Sequence, residues 1–223
     1  MNQLIDHTVL KADTTRQMVQ QVCEEAIRYS FASVCINPYF VPLAKELLKD
    51  SSVKVCTVIG FPLGANQTNV KLYEAEQALS DGADELDYVI NVSAVKDGEW
   101  EQIKDEMVQF ASLKVKNAEL CIKIILETCY LTNKDIQIAS ELAKAAGLDF
   151  VKTSTGFGTA GATVEHVQLM RKAVGPTIGV KASGGIRSLE DATAMVEAGA
   201  TRLGCSSGVA IAEGSKQLSK DAY

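Results

Sequence analysis

The sequence predicts a (β/α)8 barrel of the TIM type, a single α/β domain in which eight parallel strands alternate with helices. Short apolar segments alternate with amphipathic segments along nearly the whole chain of 223 residues. The joints between them are short, which requires a parallel sheet with right-handed crossovers. Eight candidate strands fit a closed barrel. A doubly wound sheet is the main alternative, but no Gly-x-Gly-x-x-Gly dinucleotide motif follows the first strand.

The candidate strands are rich in Val, Ile and Cys, as is typical of strands that are buried on both faces. In chain order they are Leu4–Thr8, Ala32–Asn37, Val53–Ile59, Glu85–Asn91, Leu120–Glu127, Phe150–Ser154, Ile178–Ser183 and Thr201–Ser206.

Helix signals lie between these strands. Asp13 is a plausible N-cap for the first helix, ahead of apolar residues at helical spacing. Thr132-x-x-Asp135 and Ser188-x-x-Asp191 resemble capping boxes with Asp in place of Glu. Glycines are expected just past the ends of several helices, where a left-handed conformation is common. These are Gly82, Gly147, Gly175 and Gly199.

Composition narrows the class of protein. Hydrophobic residues make up 47% of the chain, enough for a full core, and the net charge of −6 argues against a nucleic-acid partner. No apolar stretch could span a membrane, and the first residues do not resemble a signal peptide, so a cytoplasmic enzyme is expected. A homo-oligomer is compatible with the sequence. The whole chain 1–223 is expected to be one domain, with a flexible polar tail over 213–223.

A metal site is not expected from the residue pattern. The six cysteines are scattered without a Cys-x-x-Cys pair, and His7 and His166 are the two histidines of the chain. Free thiols in apolar strands behave as small hydrophobic residues. The chemistry is therefore expected to need no metal and no organic cofactor.

Charged residues inside the predicted strands point to the chemistry. Strand side chains alternate between faces, and the apolar neighbours of Asp87 and Lys181 take the outer face, which directs both charges into the barrel. Lys152 shares its face with Ser154 and is also expected inside. Lysine is rarely buried. Structural ion pairs could explain one such lysine, but two on neighbouring strands with a carboxylate favour catalysis.

Two neighbouring lysines would help one of them to become a neutral nucleophile at pH 7. An unperturbed lysine is neutral in only about one part in a few thousand at pH 7, and only the neutral amine attacks a carbonyl. Repulsion between Lys152 and Lys181 would favour loss of one proton, and Asp87 could relay protons. Lys123 and Glu127 share a face on the fifth strand and compete with Lys152 for the role of nucleophile, although an ion pair that orients the reactive amine is the favoured interpretation.

Glycine-rich loops follow several strands, at the barrel end where active sites lie. Any one of them could be only a tight turn. The last two together favour a phosphate site, because barrels often hold phosphate on the loops after strands seven and eight. Their candidate ligands are Gly184, Gly185, Ser206 and Ser207, and a short helix at Gly208–Ala212 follows the two serines.

Six sequence blocks, in order and at matching intervals, resemble the deoxyribose-phosphate aldolases in their shorter bacterial and archaeal form. The resemblance runs from Ile5 to about Ile211. The blocks are Ile5-Asp6-His7-Thr8, Val34-Cys35-Ile36-Asn37-Pro38, Thr57-Val58-Ile59-Gly60-Phe61-Pro62-Leu63-Gly64-Ala65-Asn66, Gly82-Ala83-Asp84-Glu85-Leu86-Asp87, Phe150-Val151-Lys152-Thr153-Ser154-Thr155-Gly156-Phe157 and Val180-Lys181-Ala182-Ser183-Gly184-Gly185-Ile186-Arg187.

The resemblance implies a class I aldolase that cleaves 2-deoxy-D-ribose 5-phosphate to D-glyceraldehyde 3-phosphate and acetaldehyde. It implies that Lys152 forms the Schiff base, that Lys181 perturbs it and that Asp87 moves protons. It also implies that Thr155 contacts the substrate, that Gly184, Gly185, Ser206 and Ser207 hold the phosphate, and that a C-terminal Tyr223 assists proton transfer.

Two other functions remain open from the sequence. A phosphosugar isomerase or synthase on the same barrel would keep the phosphate loops and Asp87 but would not need two inward lysines. A non-catalytic sugar-phosphate sensor would be expected to have lost Lys152 or Lys181, and both are present.

Overall fold

The computed structural model describes residues 1–214, and its strands close into a parallel barrel in chain order, with the first strand beside the eighth. The strands are β1 (Ile5–Val9), β2 (Ser33–Ile36), β3 (Lys54–Ile59), β4 (Glu85–Val89), β5 (Cys121–Ile125), β6 (Phe150–Lys152), β7 (Gly179–Ser183) and β8 (Arg202–Cys205). The predicted fold class is confirmed, and every predicted strand overlaps an observed one.

Helices surround the barrel on its outer side. They are α1 (Arg16–Tyr29), α2 (Val41–Leu48), α3 (Thr68–Ser80), α4 (Val92–Lys96), α5 (Trp100–Ser112), α6 (Asn133–Ala146), α7 (Val164–Val174), α8 (Leu189–Glu197) and α9 (Gly208–Ala212). Short 3₁₀ turns occupy Asn2–Leu4, Pro38–Phe40, Leu113–Val115 and Thr128–Tyr130.

Two helix starts follow the predicted capping chemistry, and a third does not. Thr132 and Ser188 form capping boxes with Asp135 and Asp191, so that orphan N–H groups at the starts of α6 and α8 are satisfied. The expected N-cap at Asp13 is wrong. The Thr15 hydroxyl instead accepts the Met18 N–H at 3.3 Å, because the helix begins two residues later than expected.

Apolar side chains pack in two separate places. The larger core lies between the sheet and the helices, where Tyr88 stacks on Phe110 with ring centroids 3.8 Å apart. The smaller one lies inside the barrel and consists of Leu10, Cys35, Cys56 and Val58. It fills only part of the interior. The rest of the interior holds charged side chains.

The end of the chain is not fully described. Residues 213 and 214 follow α9, and the Tyr29 hydroxyl donates a hydrogen bond to the Glu213 carboxylate. The rest of the expected tail, including Tyr223, lies outside the described residues. Within residues 1–214, no helix is both long and apolar enough to cross a membrane.

Candidate active site

Lys152 and Lys181 lie side by side inside the barrel. Their Cα atoms are partners in the register between β6 and β7. The residues that flank them, Val151, Val180 and Ala182, belong to the outer core. Because side chains alternate along a strand, both lysines point inward at one depth.

Asp87 on β4 is the carboxylate on which three lysines converge. Its Oδ2 accepts hydrogen bonds from Lys152 Nζ at 2.9 Å and from Lys181 Nζ at 2.7 Å, and its Oδ1 accepts one from Lys123 Nζ at 2.9 Å. Burial alone would raise the pKa of Asp87, but the charges of the three lysines hold this pKa well below its usual range. Asp87 is therefore ionised at neutral pH.

Two of these lysines have a second carboxylate partner. Lys181 Nζ forms an ion pair with Asp6 Oδ2, and Lys123 Nζ lies 2.5 Å from Glu85 Oε2. Burial alone would lower the pKa of each lysine, but Asp6 and Asp87 raise that of Lys181, and Asp87 and Glu85 contribute to raising that of Lys123, in both cases well above the usual value. Both amines are therefore held as ammonium groups.

Lys152 differs from the other two lysines in its ion pairs and in its exposure. Within the described part of the chain, its one ion-pair partner is Asp87, which it shares. Its side chain is 3% exposed, whereas the side chains of Lys123 and Lys181 are fully buried. Lys152 is therefore the lysine of this cluster that borders solvent.

Arg202 and Asp6 complete the charged layer, and sequence reasoning identified neither of them, nor Glu85, as part of it. Arg202 Nη1 lies 2.7 Å from Asp6 Oδ1 and 3.1 Å from Glu85 Oε2, which links the two carboxylates. The pKa of Asp6 is lowered, because the charges of Lys181 and Arg202 outweigh the effect of burial. A carboxylate inside a predicted strand is the signal that identified Asp87, and it could also have identified Asp6.

The charged layer carries an excess of positive charge. Among the described residues, four cationic side chains meet three carboxylates in one network of ion pairs. The cations are Lys123, Lys152, Lys181 and Arg202, and the carboxylates are Asp6, Glu85 and Asp87. The layer therefore has a net charge of +1 when every group is ionised.

The expected ion pair between Lys123 and Glu127 is wrong. Glu127 follows β5 at φ 54° and ψ 60°, a left-handed conformation that takes its side chain out of the strand alternation. Its carboxylate accepts a hydrogen bond from the Thr155 hydroxyl, and the Thr155 N–H lies 3.3 Å from both oxygens. Burial raises the pKa of Glu127, although the Thr155 hydrogen bonds oppose this.

The expected phosphate-binding residues lie on two adjacent loops. Gly184 and Gly185 follow β7 with φ values of +83° and +82°, and Ser206 and Ser207 lie between β8 and α9. A Cβ atom on Gly184 would lie 2.9 Å from the Cα of Gly161, whereas one on Gly185 would meet no atom within 4 Å. Gly184 therefore serves close backbone packing, and Gly185 faces open space.

The sequence matches the DeoC/LacD family of aldolases over residues 1–214. This match covers nearly the whole chain, including every strand of the barrel and the lysine cluster. The chain belongs to the DeoC/LacD aldolase family. It is therefore an enzyme of the lyase class.

Curated members of the aldolase family are similar over nearly their full length. A deoxyribose-phosphate aldolase of Thermococcus gammatolerans is 58% identical over 217 residues, 95% of this chain and 95% of the relative. One of Caldanaerobacter subterraneus is 57% identical over 210 residues, 94% of this chain and 91% of the relative. A solved structure described as a tetrameric deoxyribose phosphate aldolase from Aeropyrum pernix superposes with a TM-score of 0.88 at 37% identity, over 95% of this chain and 89% of that one.

Cysteines and carboxylates that are far apart in this aldolase sequence meet inside the barrel. Cys35 and Cys56 are register partners on β2 and β3, and Cys56 Sγ donates a hydrogen bond to Asp87 Oδ1 at 3.2 Å. Within the described residues 1–214, two sets have ligand atoms within 4.8 Å of one another, namely Cys35 with Cys56 and Asp87, and Asp6 with Cys56 and Glu85. Lys123 Nζ contacts Cys56, Glu85 and Asp87, so an ammonium group already supplies positive charge among these ligands.

Proposed function

We propose that this aldolase cleaves 2-deoxy-D-ribose 5-phosphate reversibly to D-glyceraldehyde 3-phosphate and acetaldehyde, through a Schiff base on Lys152. The observation that carries the proposal is the unequal pairing of the three lysines around Asp87. Among residues 1–214, Lys123 and Lys181 each form an ion pair with a second carboxylate, whereas Lys152 pairs with Asp87 alone.

The excess charge favours loss of a proton from Lys152. Removing that proton leaves three cations and three carboxylates in the layer, whereas Lys123 and Lys181 are each held charged by two carboxylates. Buried charges are costly unless they are paired, so the least paired ammonium group loses its proton most easily. A neutral Lys152 amine is the nucleophile that imine formation requires.

The reaction then follows from this amine. Lys152 Nζ attacks the aldehyde carbon C1 of the open-chain sugar, the carbinolamine loses water, and a protonated imine forms. The C3 hydroxyl loses its proton as the C2–C3 bond breaks, and the electron pair of that bond moves into the iminium group. Glyceraldehyde 3-phosphate leaves, C2 of the remaining enamine takes a proton, and water releases acetaldehyde and Lys152.

Asp87 and Lys181 assist the proton transfers. The Lys181 ammonium is a proton donor beside the nucleophile, and both lysines bond to Asp87 Oδ2. Asp87 can carry a proton between the Lys181 side and the carbinolamine oxygen as water leaves. Its low pKa returns it to the carboxylate form after each transfer. The persistent charge of Lys181 also disfavours a second charge on Lys152.

The remaining contacts fix the substrate. Gly184, Gly185, Ser206 and Ser207 hold the phosphate group through backbone N–H groups and hydroxyls, on the loops after β7 and β8. Thr155, three residues beyond Lys152, contacts the sugar chain. The tetrameric relative supports the proposal that this chain is a homo-oligomer. We place the reaction in the cytoplasmic breakdown of deoxyribose phosphates.

Borohydride trapping tests the proposal. The enzyme is incubated with acetaldehyde and sodium borohydride, digested, and analysed by mass spectrometry. We expect an ethyl group on Lys152, because borohydride reduces the imine to a stable amine. The Lys152→Arg variant keeps a positive charge but should not be labelled, since guanidinium stays protonated. A label on Lys123 or Lys181, or no label on the unmodified enzyme, would contradict the assignment.

A further inference from the structure

Glu127 is a buried acid in a backbone conformation that residues with a Cβ atom rarely adopt. It is 3% exposed and lies directly after β5 at φ 54°. A left-handed non-glycine residue persists only where surrounding contacts hold it. At Glu127 the Thr155 contacts come from the loop that follows β6 and Lys152, and Cys129 Sγ adds a weak hydrogen bond at 3.8 Å.

The loop after β6 is built around the Glu127 carboxylate. Thr155 supplies hydrogen bonds from both its N–H and its hydroxyl. A Cβ atom on Gly158 would lie 3.2 Å from Glu127 Oε1 and 2.7 Å from Cys129 Sγ, so this position needs glycine for the loop to approach. Thr155 is therefore held by Glu127 in both its backbone and its side chain.

These contacts determine what the Thr155 hydroxyl can do. A hydroxyl has one proton to donate and two lone pairs. The proton is directed at Glu127 Oε2, and one lone pair accepts the Phe157 N–H at 3.0 Å. One lone pair is left. Toward a substrate, Thr155 can therefore accept a hydrogen bond but cannot donate one.

Glu127 and Thr155 line a cavity of about 160 Å³ at the barrel mouth. Its walls include the apolar residues Pro62, Val92 and Phe157, and Tyr130 also lines it. Glu127 and Thr155 are the buried polar side chains of this lining, whereas Tyr130 is 44% exposed. All these residues follow the carboxyl ends of β3 to β6, the same end of the barrel as the proposed phosphate loops.

We propose that Glu127 is a positioning residue, which fixes Thr155 as a hydrogen-bond acceptor and so selects phosphorylated aldehydes that carry a hydroxyl beside the carbonyl. This inference rests on the proposed function, because it assigns a role in the same reaction. A site built to bond a substrate hydroxyl discriminates against an analogue that lacks it, since its own polar group is then left unpaired.

The test compares two acceptor aldehydes in condensation with acetaldehyde. One is glyceraldehyde 3-phosphate, and the other is 3-phosphooxypropanal, which lacks the hydroxyl. In Glu127→Gln, the amide oxygen is needed by the Thr155 N–H, so the amide nitrogen donates to the Thr155 oxygen and takes the remaining lone pair. We expect kcat/KM for glyceraldehyde 3-phosphate to fall about 10-fold, and that for 3-phosphooxypropanal to change less than about 2-fold.

Control variants separate positioning from loop stability. Thr155→Ser keeps the hydroxyl and should keep the ratio of the two kcat/KM values, whereas Thr155→Val should reduce it. Glu127→Gln should have no further effect on the ratio in the Thr155→Val background, because Glu127 acts through Thr155. Glu165→Gln, the same change at an exposed carboxylate on α7, should leave both constants unchanged.

The outcomes distinguish this inference from the proposed function. An equal loss with both aldehydes, or an unchanged ratio in a folded Glu127→Gln enzyme, would show that Glu127 only supports the loop and would overturn the inference. Failure of the unmodified enzyme to form the trapped Lys152 adduct would overturn the proposed function instead. A smaller ratio of the two kcat/KM values in Glu127→Gln, together with a trapped Lys152 adduct in the unmodified enzyme, supports both the inference and the proposed function.

Discussion

Lysine is buried in two regions of this molecule, with opposite consequences. Between α3 and α5, Lys71 Nζ donates to Glu106 Oε1 at 2.7 Å, to the Val89 carbonyl at 3.1 Å and to the Gly64 carbonyl at 3.2 Å. All three of its N–H donors are satisfied by protein groups. Inside the barrel, Lys152 makes one hydrogen bond to the part of the chain that the structure describes, and its acceptor is Asp87, which also accepts from Lys123 and Lys181.

Under the proposed function, the number of partners, and not burial alone, separates the structural Lys71 from the reactive Lys152. Burial lowers the pKa of Lys71, but Glu106 opposes that shift, and the pair is neutral as a whole. The barrel layer has one cation more than it has carboxylates. The structural pair gains nothing from losing a proton, whereas the barrel layer becomes neutral by losing one.

The largest effect is expected when the charges of the barrel layer are balanced, as they are in the Lys71–Glu106 pair. Lys181→Leu leaves three cations and three carboxylates, so that Lys152 keeps its proton. We expect kcat at pH 7 to fall about 100-fold or more, with partial recovery as the pH rises. The pH–rate profile measures this, and Lys134→Leu on the exposed face of α6 is the control. A uniform loss at every pH would mean that Lys181 does not act through protonation of Lys152.

Breaking the structural pair should affect stability and not chemistry. Lys71→Met leaves Glu106 buried without its partner, which costs about 3–5 kcal/mol of unfolding free energy, or about 10 °C in Tm for a chain of this size. Lys45→Met removes the more exposed ion pair with Asp84 and should cost about 1 kcal/mol or less. Trapping of acetaldehyde on Lys152 should persist in both variants. Loss of trapping in a folded Lys71→Met enzyme would show that the Lys71–Glu106 pair also affects the chemistry, and the contrast between a structural and a catalytic region would fail.

A smaller and substrate-dependent effect is expected when negative charge is added at the barrel mouth, away from the lysines. Ser207→Glu would set a carboxylate against the substrate phosphate and should raise KM about 10-fold or more, with much less effect on unphosphorylated 2-deoxyribose. Ser206→Glu, at an exposed position of the same loop, provides a second variant if the buried change disturbs folding. Equal losses with both substrates would assign the loop a structural role.

No effect is expected from metal removal. The cysteines and carboxylates inside the barrel could hold a metal by distance alone, but Lys123 supplies the positive charge among them. Incubation with a strong chelator followed by dialysis should leave the cleavage rate unchanged. Loss of activity that zinc restores would show that metal, and not ammonium, balances these groups in the working enzyme.

Local sequence pattern was sufficient for the fold and for part of the charged layer. Alternation of apolar residues in β4 and β7 directs Asp87 and Lys181 inward, because side chains on a strand alternate between two faces whatever the neighbouring strands are. The capping boxes of α6 and α8 were equally predictable, since their partners lie three residues apart. The error at Asp13 is of the same local kind, because Thr15, two residues further on, is also a good N-cap.

The sequence by itself determined the barrel fold and the inward direction of Asp87, Lys152 and Lys181, and the tertiary structure decided which charged side chains join them and which of them meet. Partners such as Lys181 and Asp6 come from opposite ends of the chain, and only closure of β1 against β8 brings them together. Glu127 does not pair with Lys123 as expected, because its left-handed backbone conformation ends the alternation of side chains along β5. The spacing of residues in the sequence does not reveal such a conformation. The ion pairs of the layer could be read only from the folded structure, since electrostatic energy depends on distance and burial and not on order along the chain.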